Sequence, residues 1–283
     1  MQTAFLVNGA TLDFAPTHVM RARTVPVQRQ LAAHRWLLRR KADGKFLACA
    51  SIHDSRVEWT WLVRADAKWR IEADALAKQA RPRGLGNAGR RAYCATRGEF
   101  LQQARDSRLS DATGPEYVQR TGLDRVREPL LLGYAGLDRY RRPLWLDAPA
   151  AFAWARMCST AAREAVVLEA ISGFRSRAYQ VGIFNRKLAR GQSIDEILTV
   201  NAAPGFSEHH SGRALDIGTP GEPPAEESFE GTPAFDWLTN NAQRFGFAMS
   251  YPRGNPHGIA YEPWHWMWHP PRASGSAKRT HAS

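Results

Sequence analysis

The chain has 283 residues, is 43% hydrophobic with ten tryptophans, and carries a formal net charge of +12. That length and apolar content suit one large or two modest globular domains with a true core, and no run nears the roughly 18 to 20 apolar residues of a membrane-spanning helix. The charge is uneven, since residues 1–130 hold 23 Lys and Arg against 13 Asp and Glu.

A basic front half can attract nucleic acid, an anionic membrane surface or an anionic wall polymer. No zinc-finger spacing, aromatic RNP pattern or helix-turn-helix accompanies it. The charge therefore reads as a solvated, arginine-rich surface, and no nucleic acid is expected as a partner. The opening "MQTAFLVNGATLDFAPTHVMRAR" has a short apolar patch, with no basic region before it and no long apolar core. As written the chain reads as cytoplasmic. A place in the cell envelope requires a different start or a non-standard export route. Cys49, Cys94 and Cys158 are odd in number and far apart, which argues against a disulfide framework and for small buried side chains.

In chain order, "VQRQLAAHRWLLRR" (Val27 to Arg40) and "RIEADALAKQA" (Arg70 to Ala80) read as helices. "VEWTWLV" (Val57 to Val63) alternates like a strand, and "RPRGLGNAGRR" (Arg81 to Arg91) reads as a loop. Up to about residue 125 there is no repeat and no motif. From Leu131 the pattern sharpens. Asp147 can cap a helix that has Pro149 in its first turn and continues through "AFAWARMCSTAAREA". "VVLEAIS" (Val166 to Ser172) reads as a buried strand ending at "GFRS". "AYQVGIFNRKLAR" is a helix closed by Gly191, and Ser193 with Glu196 forms a capping box that opens "IDEILTV". "RALDIGT" is a strand, and Thr232 with Pro233 opens the helix "AFDWLTNNAQRF", closed by Gly246. "FAMSY" and "GIAYEPWHWMW" supply two more extended segments, and the tail from Pro270 is small, polar and basic. Helices and short strands mix without βαβ alternation. The predicted class is α+β, a small mixed or antiparallel sheet with flanking helices.

Three stretches carry chemistry. In "SEHHSGRALDIG" His209 and Asp216 are candidate metal ligands, with Gly212 and Ala214 leaving room for a tight turn between them. In "YEPWHW" His265 can complete a three-ligand site and Glu262 can act as a base. On a flat strand those two positions face opposite sides, so both reach one ion only if the chain bends, and Pro263 is where a bend is expected. Trp264, Trp266 and Trp268 are then expected to form a dry wall. Taken alone, the stretch reads better as a packed aromatic strand around a buried, hydrogen-bonded histidine. In "SGFRSRAYQ", Arg175 follows a buried strand and suits an oxyanion or a substrate carboxylate, or is simply a surface arginine.

In this order, "SGFRSRAYQ", "SEHHSGRALD" and "EPWHW" resemble the pattern SGYRS-x-x-x-Q, S-x-H-x-x-G-x-A-x-D, E-x-W-H. That pattern belongs to the zinc D-alanyl-D-alanine carboxypeptidase family, which includes VanY-type carboxypeptidases and VanX-type dipeptidases on a Hedgehog-like zinc peptidase fold. The resemblance covers about residues 130 to 270 and is silent on the first 125. It implies one Zn2+ ion bound by His209, Asp216 and His265, with Glu262 as catalytic base and Arg175 as stabiliser of the transition state. Ser207 and Gln180 fall on positions implied to contact substrate or to support the ligands from behind. His210 occupies a variable position and is expected beside the ligands or facing solvent. Phe174 stands where the family usually has tyrosine, and Met267 and Trp268 stand where Arg-Tyr often follows.

The implied organisation is a basic N-terminal segment over residues 1–127, a zinc peptidase domain over 128–270 and a disordered basic tail over 271–283. The implied activity is hydrolysis of D-Ala-D-Ala termini in peptidoglycan stem peptides or their precursors, which are the expected partners. The alternatives are a cell-wall endopeptidase on the same scaffold, or a non-catalytic zinc- or wall-binding module. Glu262 counts against the module, because a structural metal site has no need of a base.

Overall fold

Strand pairing organises the front half of the protein. The computed structural model describes residues 4–22, 24–53, 56–80 and 114–271. The loop read at Arg81 to Arg91, Cys94 and the tail from residue 272 lie outside them. Seven antiparallel strands form one sheet: β1 (Phe5–Asn8), β2 (Leu12–Pro16), β3 (Trp36–Arg40), β4 (Phe46–His53), β5 (Arg56–Trp61), β6 (Leu131–Leu137) and β7 (Pro143–Leu146). Their spatial order is β5-β4-β3-β2-β1-β6-β7. A four-stranded antiparallel sheet follows, ordered β10-β11-β9-β8, from β8 (Glu169–Ser172), β9 (Ala214–Gly218), β10 (Phe247–Met249) and β11 (His265–Trp268). With helices on both sheets, the protein is α+β.

The segment Val27 to Arg40 departs from its predicted single helix. Helix α1 (Val25–Ala33) stops at His34, and Trp36–Arg40 becomes β3. The His34 ring ends the helix by tertiary contact: Nδ1 donates to the Gln30 carbonyl at 2.9 Å, and Nε2 accepts from Thr60 on β5 at 2.9 Å. Leu37 and Leu38 are both fully buried, in different clusters: Leu37 packs with Leu31 and Cys49, Leu38 with Phe14 and Ala48. A strand covered on both faces loses its alternation, so its apolar run imitates a helix. Helix α2 (Ala67–Ala80) covers one face through Ala73, Leu76 and Ala77.

The second core lies under α4 (Ala148–Arg163), which follows the short α3 (Pro115–Thr121). Ala150, Ala153, Trp154, Met157 and Ala161 form its buried stripe at helical spacing. They pack against Leu215 and Ile217 of β9, Trp266 and Trp268 of β11, and Trp237 and Leu238 of the helix Pro233–Asn241. Asp147 is the N-cap of α4, but its side chain caps nothing and instead accepts from Arg213 Nε at 2.7 Å.

Polar links join the halves, two of them close to the second sheet's entry and to Arg177. The Asp147 N–H donates to the Gly212 carbonyl at 2.7 Å, docking the lead into β9 on the end of β7. Glu128 accepts from Asn8 Nδ2 at 3.0 Å, from Lys41 Nζ, and from the Arg177 N–H at 2.6 Å. A single half-buried carboxylate thus ties β1 and the turn after β3 to the first turn of α5 (Arg177–Leu188). Among the described residues no helix is long and apolar enough to cross a membrane.

Candidate active site

His209 sits in a 3-10 turn, Glu208–Ser211, that ends at Gly212 in the left-handed region and runs straight into β9. Asp216 is on β9, and His265 is the first residue of β11. The β9–β11 register pairs His265 directly with Asp216. One donor atom from each of His209, Asp216 and His265 lies within 4.8 Å of the others, and all three residues are buried. His209 Nε2 is 3.3 Å from Asp216 Oδ2, and His265 Nδ1 is 3.1 Å from Asp216 Oδ1.

Both imidazoles have their protons assigned by what they face on the outside. His209 Nδ1 meets the Gly173 carbonyl at 2.7 Å, and a carbonyl only accepts, so Nδ1 carries the hydrogen. His265 Nε2 donates to the Glu208 carboxylate at 2.9 Å, which in turn accepts from Ser250 at 2.6 Å. The inward atoms, His209 Nε2 and His265 Nδ1, are therefore the ones left to bind a cation. The charges agree. Burial disfavours the charged form of His265, but its hydrogen bonds to Asp216 and Glu208 outweigh that and push its pKa up to about 10. Burial likewise opposes ionisation of Asp216, yet His209 and His265 hold its carboxyl far below the usual range. The cluster demands positive charge, and a divalent cation fits its two nitrogens and one carboxylate.

The bend expected at Pro263 is present. Residues 263 and 264 form a turn in which the His265 N–H donates to the Glu262 carbonyl at 3.1 Å. This returns the Glu262 carboxylate to within 3.7 Å of His265 Nδ1. Burial pushes the Glu262 carboxyl up to about 7, with His265 opposing and Asp216 adding to the shift.

Arg175 enters the site from the loop after β8, with Nη2 3.5 Å from Asp216 Oδ2. Gln180, fully buried on α5, accepts from Arg175 Nη1 at 3.1 Å and donates to the Ala202 carbonyl at 3.0 Å. Gln180 thus holds the guanidinium. Ser207 is buried and lines the same cavity of about 420 Å³ as His209, Glu262 and Arg175.

The structure decides between the two expectations for His210, corrects the one for the tryptophans and places Phe174. His210 lies behind the ligands and does not face solvent: it is fully buried, its Nδ1 donates to the Arg175 carbonyl at 2.6 Å, and its Nε2 accepts from the Gly205 N–H at 3.0 Å. Burial lowers its pKa to about 4, so it is a neutral staple for the Arg175 loop. Of the three tryptophans only Trp264 lines the cavity, because strand alternation sends Trp266 and Trp268 into the α4 core. Phe174 points away from the cavity and packs with Leu132 and Trp145, so its missing hydroxyl takes nothing from the site.

Sequence reasoning missed Glu208 and Tyr251. Glu208 had one legible sign, a carboxylate immediately before the ligand histidine. Tyr251, buried with its ring centroid 4.8 Å from that of His265, had none.

The C-terminal half of the chain is similar to known proteins. Residues 143–271 match the family model for VanY, D-alanyl-D-alanine carboxypeptidase. The YodJ protein of Bacillus subtilis (strain 168) is 36% identical over 121 residues, covering 41% of this chain and 43% of that protein. A D-alanyl-D-alanine carboxypeptidase of Enterococcus faecalis (strain ATCC 700802 / V583) is 34% identical over 107 residues, covering 34% of this chain and 38% of the relative. The chain therefore spans less than half the length of either relative. Among solved structures, the LdcB LD-carboxypeptidase matches with a TM-score of 0.41 at 32% identity, covering 44% of this chain and 59% of that one. The C-terminal half of the chain, residues 143–271, is a domain of the VanY D-alanyl-D-alanine carboxypeptidase family.

Proposed function

We propose that this protein is a zinc-dependent DD-carboxypeptidase that hydrolyses D-Ala-D-Ala termini of peptidoglycan stem peptides or their precursors. The observation that carries this reading is the convergence of His209, Asp216 and His265, with both imidazole protons fixed outward and Glu262 beside them. When bound there, zinc supplies Lewis-acid activation of a water and of the scissile carbonyl.

The protein's own groups do the rest. Glu262 receives the proton of the attacking water and returns it to the departing amine, and its mostly buried carboxylate suits that exchange. The Arg175 guanidinium donates to the oxyanion as the carbonyl becomes tetrahedral, from a position set by Gln180 and by the His210 staple. Ser207 contacts the substrate from the cavity wall. Trp264 and Tyr251 limit water around the reacting atoms. Residues 128–270 form the peptidase domain, and the strands before them brace it through Glu128. Stem peptides lie outside the membrane and their precursors inside it, so this substrate suits either compartment.

Metal analysis beside a peptide assay tests the reading. Purified protein is expected to hold about one zinc per chain and to release free D-alanine from a pentapeptide ending in D-Ala-D-Ala. A chelator is expected to abolish release, and added zinc to restore it. Activity that persists in metal-stripped protein, or no D-alanine at all, would sink the reading. The Glu208 contact adds a second expectation. Glu208→Ala removes the carboxylate that orients His265, and zinc affinity is expected to fall by about 10- to 100-fold in a competitive chelator titration. Unchanged affinity would leave Glu208 with no part in holding the ligand.

A further inference from the structure

The two cations of the cavity are unequally committed. Arg175 already donates to Gln180 and lies beside Asp216. Lys187 lines the same cavity, yet among the described residues its ammonium makes no ion pair and no hydrogen bond. It stands on α5 seven residues after Gln180, with Phe184 between them, so all three share one helix face. Gln180 and Phe184 are fully buried beneath that face, which fixes where residue 187 is presented. Burial lowers the Lys187 pKa, with Arg175 lowering it further and Glu262 raising it, so its charge is felt at the reaction centre.

A half-buried, uncommitted ammonium in a substrate cavity calls for an anion. A stem peptide ending in D-Ala-D-Ala offers one such group next to the scissile bond, its free C-terminal carboxylate. We infer that Lys187 receives that carboxylate, placing the peptide's last residue in the cavity and restricting cleavage to the terminal bond. The inference rests on the peptidase reading above and adds to it the reason the enzyme is an exopeptidase. A lysine in the last turn of a helix also complements the helix dipole, but that role would not respond to the chemistry of the substrate's end.

The test uses two peptides identical except that one ends in a free carboxylate and the other in an amide. Wild-type enzyme is expected to prefer the carboxylate. Lys187→Met is expected to lose about 10- to 100-fold in kcat/KM on the carboxylate peptide, mainly through KM, narrowing the preference by the same factor. Lys187→Arg, which keeps the charge, is expected to retain most of it. A Lys187→Met enzyme that cleaves with the wild-type preference overturns the inference and leaves the peptidase reading standing. Wild-type enzyme that is active without any preference does the same. Wild-type enzyme that cleaves neither peptide removes the peptidase reading, and the role of Lys187 with it.

Discussion

Glu262→Gln is expected to fold, to keep its metal and to lose peptide hydrolysis by at least about 10³-fold in kcat, the upper range for removal of a general base. The amide has the size of the carboxylate, so the turn at Pro263 and the Tyr251 contact, in which the Glu262 N–H donates at 3.0 Å, are untouched. All three ligand positions keep their partners, because none of their outward hydrogen bonds involves residue 262. What disappears is, among the described residues, the only carboxylate beside the cluster not already paired with a histidine in a hydrogen bond: Asp216 and Glu208 are both engaged by His265. Single-turnover kinetics on a D-Ala-D-Ala peptide, with zinc measured on the same sample, separates the two effects. A loss of zinc in step with activity would mean that Glu262 is a ligand, and near wild-type turnover would mean that it is no base.

The largest effect on stability is expected from Gly212→Ala. Gly212 has φ +69, which costs a non-glycine residue about 1–2 kcal/mol. A Cβ there would also stand 2.6 Å from Leu132 Cδ2 and 2.9 Å from the Asp147 backbone nitrogen. Overpacking of this kind adds about 1–3 kcal/mol. Backbone cannot step aside as a side-chain end can, so the two costs combine to about 2–5 kcal/mol, a fall in Tm of roughly 5 to 15 °C. The same shift moves the turn that carries His209 relative to the strand that carries Asp216, so zinc affinity falls with stability. Gly191→Ala is the control: φ is +86, but nothing lies within 4 Å of the added carbon. It should pay only the conformational cost. Equal melting shifts in the two variants would show that the seam between the sheets is not tight at residue 212.

The reactive cluster was legible in the sequence because its constraint is chemical and local. Histidine, aspartate and glutamate at fixed spacings around Gly212 and Pro263, once found together, suit a metal centre far better than a hydrophobic core. The helices with caps were legible for the same reason: the Ser193–Glu196 capping box forms as written. Of the N-terminal strands only β5 was legible, through the alternation of Val57 to Val63; the others were not. β2 is buried at every position and β3 on both faces, so neither shows the alternation that identifies a strand. Glu208, Tyr251, Lys187 and Glu128 escaped notice because their importance comes from partners far along the chain. Glu128 meets Asn8 across 120 positions, and no window of sequence contains both.

The direct pairing of His265 with Asp216 across β9 and β11 has a consequence for how the metal is held. Ladder bonds set the spacing of two of the three ligands, and the outward hydrogen bonds of His209 and His265 set the direction of their rings. Register is then the point of fragility: sliding β11 by one residue would turn His265 into the hydrophobic interior and offer Trp266 to the cation.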